Sequence, residues 1–393
     1  MGVGIRIFGL ALFILLTLPL PGTAAEGAHL DDKVVRSQLD HLETEKVETF
    51  WQELKREYGR FFPKDQPSDL FDLVLSGGEE VSWKHFLSAL GKYLFHEVLY
   101  NGKLLGTIIV LTVFSMILRT LQTAFERNQV SKIAYAIAFM VIIILAVDSF
   151  TIAVDSAKEA ISRMIHFMLA LVPLVLTLLA SMGNFGSVGM FHPMIVLMIH
   201  VIGTLIHKVV FPVLFFSAIL GIISCLSEKY KVNQLANLLR KVAVGILGTL
   251  LTVFLGIISV QGATAAVTDG VTIRTAKYVT GNFVPVVGRM FSDAADTVVG
   301  ASLLVKNAVG LAGVIILLLI IAFPALKILS LALVYSFAAA VMQPLGDSPI
   351  IECLSIISKT LIYIFASLAT VGMMFFLAIT IIVASGNISV MIR

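Results

Sequence analysis

The 393-residue sequence contains little charge for its length. Charged side chains make up 13% of it and hydrophobic ones 58%, whereas soluble globular domains carry roughly 25% charged residues. Its mean hydropathy is +0.97. The shortage of charge argues against a soluble core, and the composition predicts a membrane protein.

The sequence also lacks the motifs of common enzymes. It contains no G-x-x-x-x-G-K-[ST], G-x-S-x-G, H-E-x-x-H or C-x-x-C. If transport by this protein needs nucleotide energy, another subunit must therefore supply it. No catalytic, cofactor-binding or metal-binding residue is predicted, and an intramembrane enzyme is the weakest functional hypothesis. The two cysteines, Cys225 and Cys353, are predicted to lie toward opposite membrane sides, so no disulfide is expected.

The first residues have the pattern of a secretory signal peptide. Arg6 precedes an apolar run, Pro19 and Pro21 follow it, and small residues occupy Thr23 and Ala25. This pattern predicts a signal peptide over residues 1–25. An uncleaved amino-terminal anchor is the alternative, because a single cationic residue precedes the apolar run. Both interpretations place the following segment outside the cytoplasm.

Residues 26–103 differ from the rest in charge and are predicted to form a small extracytoplasmic helical domain. They hold 15 of the 25 acidic residues but 10 of the 28 basic ones. Apolar residues at helical spacing predict an amphipathic helix here: Leu39, Leu42, Val47, Phe50, Trp51 and Leu54. Such a short domain could be an arm or cap that needs a partner to fold, or an independent bundle resting on the membrane.

Residues 104–393 are predicted to form an all-α, polytopic membrane domain of about seven to nine spans. The predicted spans are 104–122, 133–153, 164–182, 190–206, 209–226, 242–263, 308–323, 326–342 and 358–383. Residues 190–226 and 308–342, which contain Pro212 and Pro324, could be tight hairpins or single long, broken helices. Basic residues such as Arg127 and Lys231 place the loops after the first and fifth predicted spans in the cytoplasm.

An amphipathic segment at residues 281–306 interrupts the apolar runs. Its sequence begins GNFVPVVGRMFSDAADTVVG, and helical spacing places Arg289, Asp293 and Asp296 on one face. The segment could be an interfacial or re-entrant helix whose polar face meets an aqueous space, or an ordinary helix on the outer leaflet. These three residues are therefore candidates for lining or docking a channel.

A second polar stripe follows the predicted span 133–153. Asp148, Asp155 and Glu159 continue one helical face, and carboxylates in or near a membrane are functional candidates. A solvated face at the outer interface is the favoured alternative. Small residues at four-residue spacing predict close helix packing at Gly102 and Gly106, at Ser217 and Gly221, and at Gly245 with Gly248 and Thr252.

Three stretches resemble a known family. They are MFHPMIVLMIHVIG, NFVPVVGRMFSDAADTVVGASLLVKNAVGLAG at residues 282–313, and QPLGDSPII. Together with the signal sequence and the acidic helical part, they resemble the stage III sporulation protein AE family of endospore-forming bacteria. The resemblance covers nearly the whole chain, and the stretch at 282–313 is its most specific part.

The resemblance implies a permease-like or scaffold subunit of the channel complex that joins the mother cell to the forespore. The family picture places the protein in the mother-cell-derived outer forespore membrane, with its amino-terminal domain facing the intermembrane space. It implies as partners a separate cytoplasmic ATPase, ring-forming membrane proteins and a forespore protein. The implied role is to support forespore development and late forespore gene expression. A stand-alone secondary transporter of a small solute is the alternative.

Overall fold

The protein is helical throughout the part that the structure describes, a computed structural model covering residues 44–61, 83–124, 129–226, 232–283, 287–346 and 348–392. No strand occurs within these ranges, which confirms the predicted all-α fold. The α-helices are α1 (Glu45–Tyr58), α2 (Trp83–Tyr100), α3 (Gly102–Ala124), α4 (Gln129–Ser181), α5 (Phe185–Leu205), α6 (Phe211–Leu226), α7 (Asn233–Phe283), α8 (Val287–Met342) and α9 (Pro349–Ile392). The predicted signal peptide lies outside the described residues.

Six helical runs in the described ranges are long and apolar enough to cross a membrane. They are Leu87–Leu121, Ile133–Ser181, Phe185–Cys225, Asn233–Val271, Val298–Met342 and Pro349–Ile388. The protein is therefore a multi-pass membrane protein. The first run joins α2 to α3 through Asn101, whose N–H bonds to the carbonyl of Glu97 and whose carbonyl accepts the N–H of Leu105.

Two pairs of predicted spans each lie on one continuous helix. The ranges 133–153 and 164–182, predicted to be separate, both belong to α4. The ranges 308–323 and 326–342 both belong to α8, so a single long helix is observed there rather than the alternative hairpin. Pro173 and Pro324 lie inside these helices without ending them. A proline removes one backbone hydrogen bond, but a packed apolar bundle tolerates that loss.

The block at residues 190–226 is a single helical path with a loosened turn in its middle. A π-helical segment, Ile206–Val210, joins α5 to α6, and the N–H of Phe211 bonds to the carbonyl of Ile206. Pro212 follows at once and has no N–H to donate to residue 208, which favours the wider turn there. Of the two predicted alternatives, the single interrupted helix is therefore the one observed.

The long helices exceed the thickness of a bilayer. With 53 residues, α4 is about 80 Å long at 1.5 Å per residue, whereas the hydrocarbon core is about 30 Å thick. Even a strongly tilted helix of this length extends beyond the hydrocarbon region on one side or both. The helices α7 and α8, with 51 and 56 residues, share this property.

The bundle is built around α8 and α9, which run antiparallel. Contacts between them join Gly310 to Val383 at one level and Ser358 to the carbonyl of Ala332 at another. The helix α4 packs antiparallel to α8, since Gly313 lies against Leu171 while the hydroxyl of Tyr335 donates to the carbonyl of Leu145. The apolar core therefore runs along the bundle rather than forming a single globular centre.

The glycines that permit close helix contacts differ from the predicted ones. A Cβ atom at Gly102, Gly106, Gly245 or Gly248 would meet no atom within 4 Å, so these positions do not hold helices together. Among the predicted positions, Gly221 lies against Ile356, and the Ser217 hydroxyl donates to the carbonyl of Ala236. The tightest approaches occur instead at Gly310, Gly313 and Gly372. Four-residue spacing identifies helix faces that carry small residues, but it does not show which of these faces packs against another helix.

The two cysteines lie together, contrary to the sequence-based prediction. Cys225 lies in the last turn of α6 and Cys353 near the start of α9, and the two thiols are neighbours. Both are buried free thiols. The prediction failed because it counted nine separate spans, and merging these into longer helices moves Cys353 to the same end of the bundle as Cys225.

Candidate functional site

The amino-terminal helix α1 docks on the side of the bundle. Its apolar face buries Val47, Trp51 and Leu54, while charged residues occupy the opposite face. It packs against α4 and α8, and the ring of Phe50 meets that of Phe167 edge to face at 5.3 Å between centroids. The amphipathic pattern of this segment therefore serves to attach it to the membrane helices.

An aromatic cluster closes the end of α1 against α2 and α8. The Tyr58 ring stacks on Phe323 at 3.9 Å between centroids, and Tyr93 meets Phe323 edge to face at 4.9 Å. The Phe61 ring packs edge to face on Tyr93 at 5.1 Å. Burial, together with the nearby Glu57 carboxylate, raises the pKa of the Tyr58 hydroxyl, so this group stays protonated at neutral pH.

An ion-pair network ties α1 to the middle of α4. The Arg163 guanidinium donates through Nη1 to the Glu57 carboxylate at 2.6 Å and through Nη2 to Glu159 at 2.7 Å. Glu159 and Arg163 are four residues apart on one helix face, whereas Glu57 comes from α1. A single guanidinium thus holds two carboxylates from different helices.

A cleft of about 230 Å³ lies beside this network, between α1, α2, α4 and α8. Three carboxylates and three cations line it: Glu57, Glu97, Glu159, Arg60, Arg163 and Lys327. The formal charges of these six side chains cancel. Tyr58, Tyr93 and Pro324 supply its less polar walls. The cleft is therefore a net-neutral site that contains separated charges.

The predicted membrane carboxylates fall on α4 but only one of them reaches this cleft. Asp148 and Asp155 are exposed on the helix surface, and Glu159 lines the cleft and pairs with Arg163. Since 148, 155 and 159 share a helix face, the difference comes from what packs beside each residue. Their roles stay predictions, with Glu159 the one that has a specific partner.

The channel-lining or docking candidates Arg289, Asp293 and Asp296 lie in the first turns of α8. The helical path predicted for this part of the amphipathic segment is present, but their side chains lie outside the described residues. Their assignment to a channel therefore stays a prediction.

Sequence reasoning missed most of the cleft. Glu57, Glu97 and Lys327 belong to three helices that are distant in sequence, so no local spacing signals that they meet. Arg163 did have a local signal, because it follows Glu159 at the four-residue spacing of a helical ion pair.

Sequence reasoning also missed a buried lysine. The Lys306 side chain is fully buried between α8 and α9, where its ammonium donates to the carbonyl of Val383 at 2.9 Å and to Asn387 Oδ1 at 2.5 Å. Both acceptors are neutral. A buried cation with neutral acceptors is costly in an apolar bundle, so Lys306 is a further functional candidate. No cluster of three metal-ligating side chains occurs in the described ranges.

Comparison with known proteins decides the family. The family model for stage III sporulation protein AE matches residues 66–386. The chain belongs to the stage III sporulation protein AE family. It is 55% identical over 352 residues to the stage III sporulation protein AE of Bacillus subtilis (strain 168), covering 90% of this chain and 88% of that protein. No solved structure matches the chain.

The residues that match the family model include part of the cleft. The match covers four of its charged residues, Glu97, Glu159, Arg163 and Lys327, whereas Glu57 on α1 precedes the matched residues. The bundle side of the cleft is therefore part of the region that defines the family.

We expect apolar packing to dominate the docking of α1. Trp51 is 4% exposed, and replacing it with alanine should cost about 3–5 kcal/mol of unfolding free energy. Arg163→Ala should cost about 1 kcal/mol or less, because Arg163 and its two partners are each at least one-third exposed. Thermal unfolding of the purified protein and protease cleavage at α1 measure both effects.

Trp51→Phe is the matched control and should retain most of the docking, since it keeps an aromatic ring in the same pocket. Equal release of α1 by Arg163→Ala and Trp51→Ala would contradict this ranking and show that the ion pairs hold the helix.

Proposed function

We propose that this sporulation protein is a membrane subunit, permease-like or scaffold, of a channel complex that links the mother cell and the forespore. It acts without a catalytic centre of its own and supports forespore development and late forespore gene expression. Its membership of the stage III sporulation protein AE family supports a role in sporulation. Its proposed location is the outer forespore membrane, with the amino-terminal domain facing the intermembrane space.

The length of the helices is the observation that carries the proposal. A helix about 80 Å long, such as α4, projects beyond a hydrocarbon core of about 30 Å, so it offers surfaces outside the membrane to other proteins. Exposed apolar side chains continue along several helices, including Leu197 on α5, Val260 on α7 and Leu304 on α8. Such faces suit lipid contact in the bilayer and subunit contact beyond it.

The proposed partners follow from what this chain lacks. It has no nucleotide-binding motif, so a separate cytoplasmic ATPase supplies any energy that transport requires. Ring-forming membrane proteins provide the passage across the gap between the two cells, and this subunit anchors or gates that assembly in the membrane.

A stand-alone transporter is the second candidate function, and the net-neutral cleft between α1 and the membrane helices favours it. Uptake of a small solute by liposomes that contain this chain alone would distinguish it from a complex subunit. A complex subunit should require its companions for any passage.

Alanine replacement of Arg289, Asp293 and Asp296, one at a time, tests the proposal. We expect normal protein levels with strongly reduced spore formation, because the polar face would line or dock the channel. Protein level, recovery of the complex by affinity purification and heat-resistant spore counts are measured together. If a variant that fails to sporulate also fails to recover the complex, its residue docks a partner. If the complex is recovered normally, the residue lines the channel.

Ser292→Ala, in the same segment, is the control and should leave sporulation unchanged. Normal sporulation in all three variants would remove the special role of this face and leave it as an ordinary interfacial helix.

A further inference from the structure

The charges of the cleft are not all paired with each other. Arg163 is shared by Glu57 and Glu159. Arg60 is exposed, and its guanidinium lies over the Phe61 ring and near His96. Glu97 and Lys327 are therefore the half-buried charges available to a ligand. The Tyr93 hydroxyl lies near the Glu97 carboxylate, and the ion pairs within the described residues include neither Glu97 nor Lys327. One free carboxylate and one free ammonium therefore face the same cleft.

The size of the cleft suits a small solute. Its volume of about 230 Å³ far exceeds the roughly 10–15 Å³ that a single water molecule needs. It is smaller than typical pockets for drug-sized ligands, which are about 300–1,000 Å³. A metabolite with few heavy atoms fits these limits, whereas a nucleotide or a folded peptide does not.

The charge balance narrows the ligand class further. A site whose charges cancel has no net attraction for a polyanion or a simple cation, but its separated charges complement a molecule that carries one of each. We propose that the cleft binds a small neutral zwitterion of the amino-acid class. Lys327 holds its carboxylate, Glu97 holds its ammonium group, and the walls formed by Tyr93 and Pro324 cover its apolar part.

The other cleft residues act as positioning groups. Arg163 holds both Glu57 and Glu159 in ion pairs, and Arg60 at the same cleft balances the negative charge that remains on this trio. The aromatic contacts of Tyr58 and Tyr93 with Phe323 hold α1 and α2 at the cleft wall. This inference does not depend on membership of a channel complex.

Calorimetric titration of the full chain in detergent tests the proposal. Glycine, L-alanine, L-serine and L-leucine are titrated separately, with propionate and ethylamine as probes that each carry one of the two charges. We expect saturable binding of at least one amino acid, and at least tenfold weaker binding of both single-charge probes. Glu97→Gln and Lys327→Gln should each weaken amino-acid binding by tenfold or more.

Conservative variants and a distant control keep the result specific. Lys327→Arg and Glu97→Asp should restore part of the binding, and Glu53→Gln, on the exposed face of α1, should leave it unchanged. Size-exclusion profiles establish that each variant is folded. Absence of saturable binding by all four amino acids would overturn the proposal, as would equal binding of propionate or unchanged binding by both glutamine variants.

The binding experiment tests the cleft independently of the proposed channel role. Loss of amino-acid binding in Lys327→Gln with normal complex recovery would support the cleft without testing the channel role. Failure of the alanine variants at 289, 293 and 296 to affect sporulation would count against the channel role without touching the cleft.

Discussion

Replacing Gly310 with alanine is expected to lower the unfolding free energy by about 1–3 kcal/mol. A Cβ atom at this position would lie 2.5 Å from Cγ2 of Val383, across the central α8–α9 contact. Valine has one strongly preferred rotamer in a helix, so its side chain cannot turn away, and the two helices must separate. The clash outweighs the higher helix propensity of alanine, which is worth about 1 kcal/mol.

The same change at Gly245 is the matched control. No atom lies within 4 Å of a Cβ built there, so Gly245→Ala should stabilise the protein by about 0.5–1 kcal/mol through helix propensity. The stability change of Gly313→Ala should fall between those of Gly310→Ala and Gly245→Ala. The new Cβ atom would meet Cδ2 of Leu171, which is the far end of a more flexible side chain. Denaturant unfolding in detergent measures all three.

A double variant isolates the contact. Gly310→Ala combined with Val383→Ala should recover most of the lost stability, because the smaller side chain makes room for the new methyl group. If Gly310→Ala proves as stable as Gly245→Ala, then α8 and α9 do not pack as closely as this pair of residues requires.

Replacing Asp269 with alanine should cost about 2–5 kcal/mol, the second large effect. Asp269 on α7 is 3% exposed, and its carboxylate accepts the backbone N–H groups of Gly186 and Ser187, each at 2.9 Å. These two N–H groups lie in the first turn of α5, where backbone N–H groups have no carbonyl acceptor within the helix itself. The local N-cap residue, Asn184, makes no side-chain capping bond, so the cap comes from another helix.

The charge of Asp269 adds to the hydrogen bonds, since an anion is favoured at the amino end of a helix. Asp269→Asn should therefore lose less than Asp269→Ala, as it keeps one acceptor but no charge. Hydrogen exchange at the first turn of α5 should rise in both variants. Asp155→Ala, an exposed carboxylate on α4, is the control and should change stability by less than about 0.5 kcal/mol. Unchanged exchange in Asp269→Ala would show that the turn has another cap.

Gly186 gives an independent check on the same contact. A Cβ atom there would lie 2.7 Å from the Asp269 carboxylate oxygen, so Gly186→Ala should also loosen the start of α5. Gly189, one turn further along, has open space at its Cβ position and should tolerate alanine.

The helical character of the protein was predictable from the sequence, while the number of helices was not. Apolar runs of sufficient length predict helices in a membrane because the backbone must satisfy its own hydrogen bonds there. The predicted spans 133–153 and 164–182 were counted separately because polar residues lie between them, although Asp155 and Glu159 were predicted to continue a helical face. In the structure the helix runs through these residues, where Glu159 pairs with Arg163 and Arg163 also pairs with Glu57 of α1.

The candidate site shows the same division. The pairing of Glu159 with Arg163 follows from their spacing on one helix, and the apolar face of α1 follows from its amphipathic pattern. The addition of Glu57, Glu97 and Lys327 required three further helices to be placed around them. The predicted residues Arg289, Asp293 and Asp296 still rest on helical spacing alone.

The sequence by itself determined that the protein is an all-helical membrane protein, because hydropathy and helical periodicity are local properties that each segment carries alone. Its likeness to stage III sporulation protein AE was also readable from the sequence, through specific stretches such as residues 282–313 and the match to the family model. Only the tertiary structure decided which glycines pack, that Cys225 meets Cys353, and that six charges converge on one cleft. These features depend on the direction and register of helices far apart in the chain, which are set by side-chain fit along the whole length of the bundle.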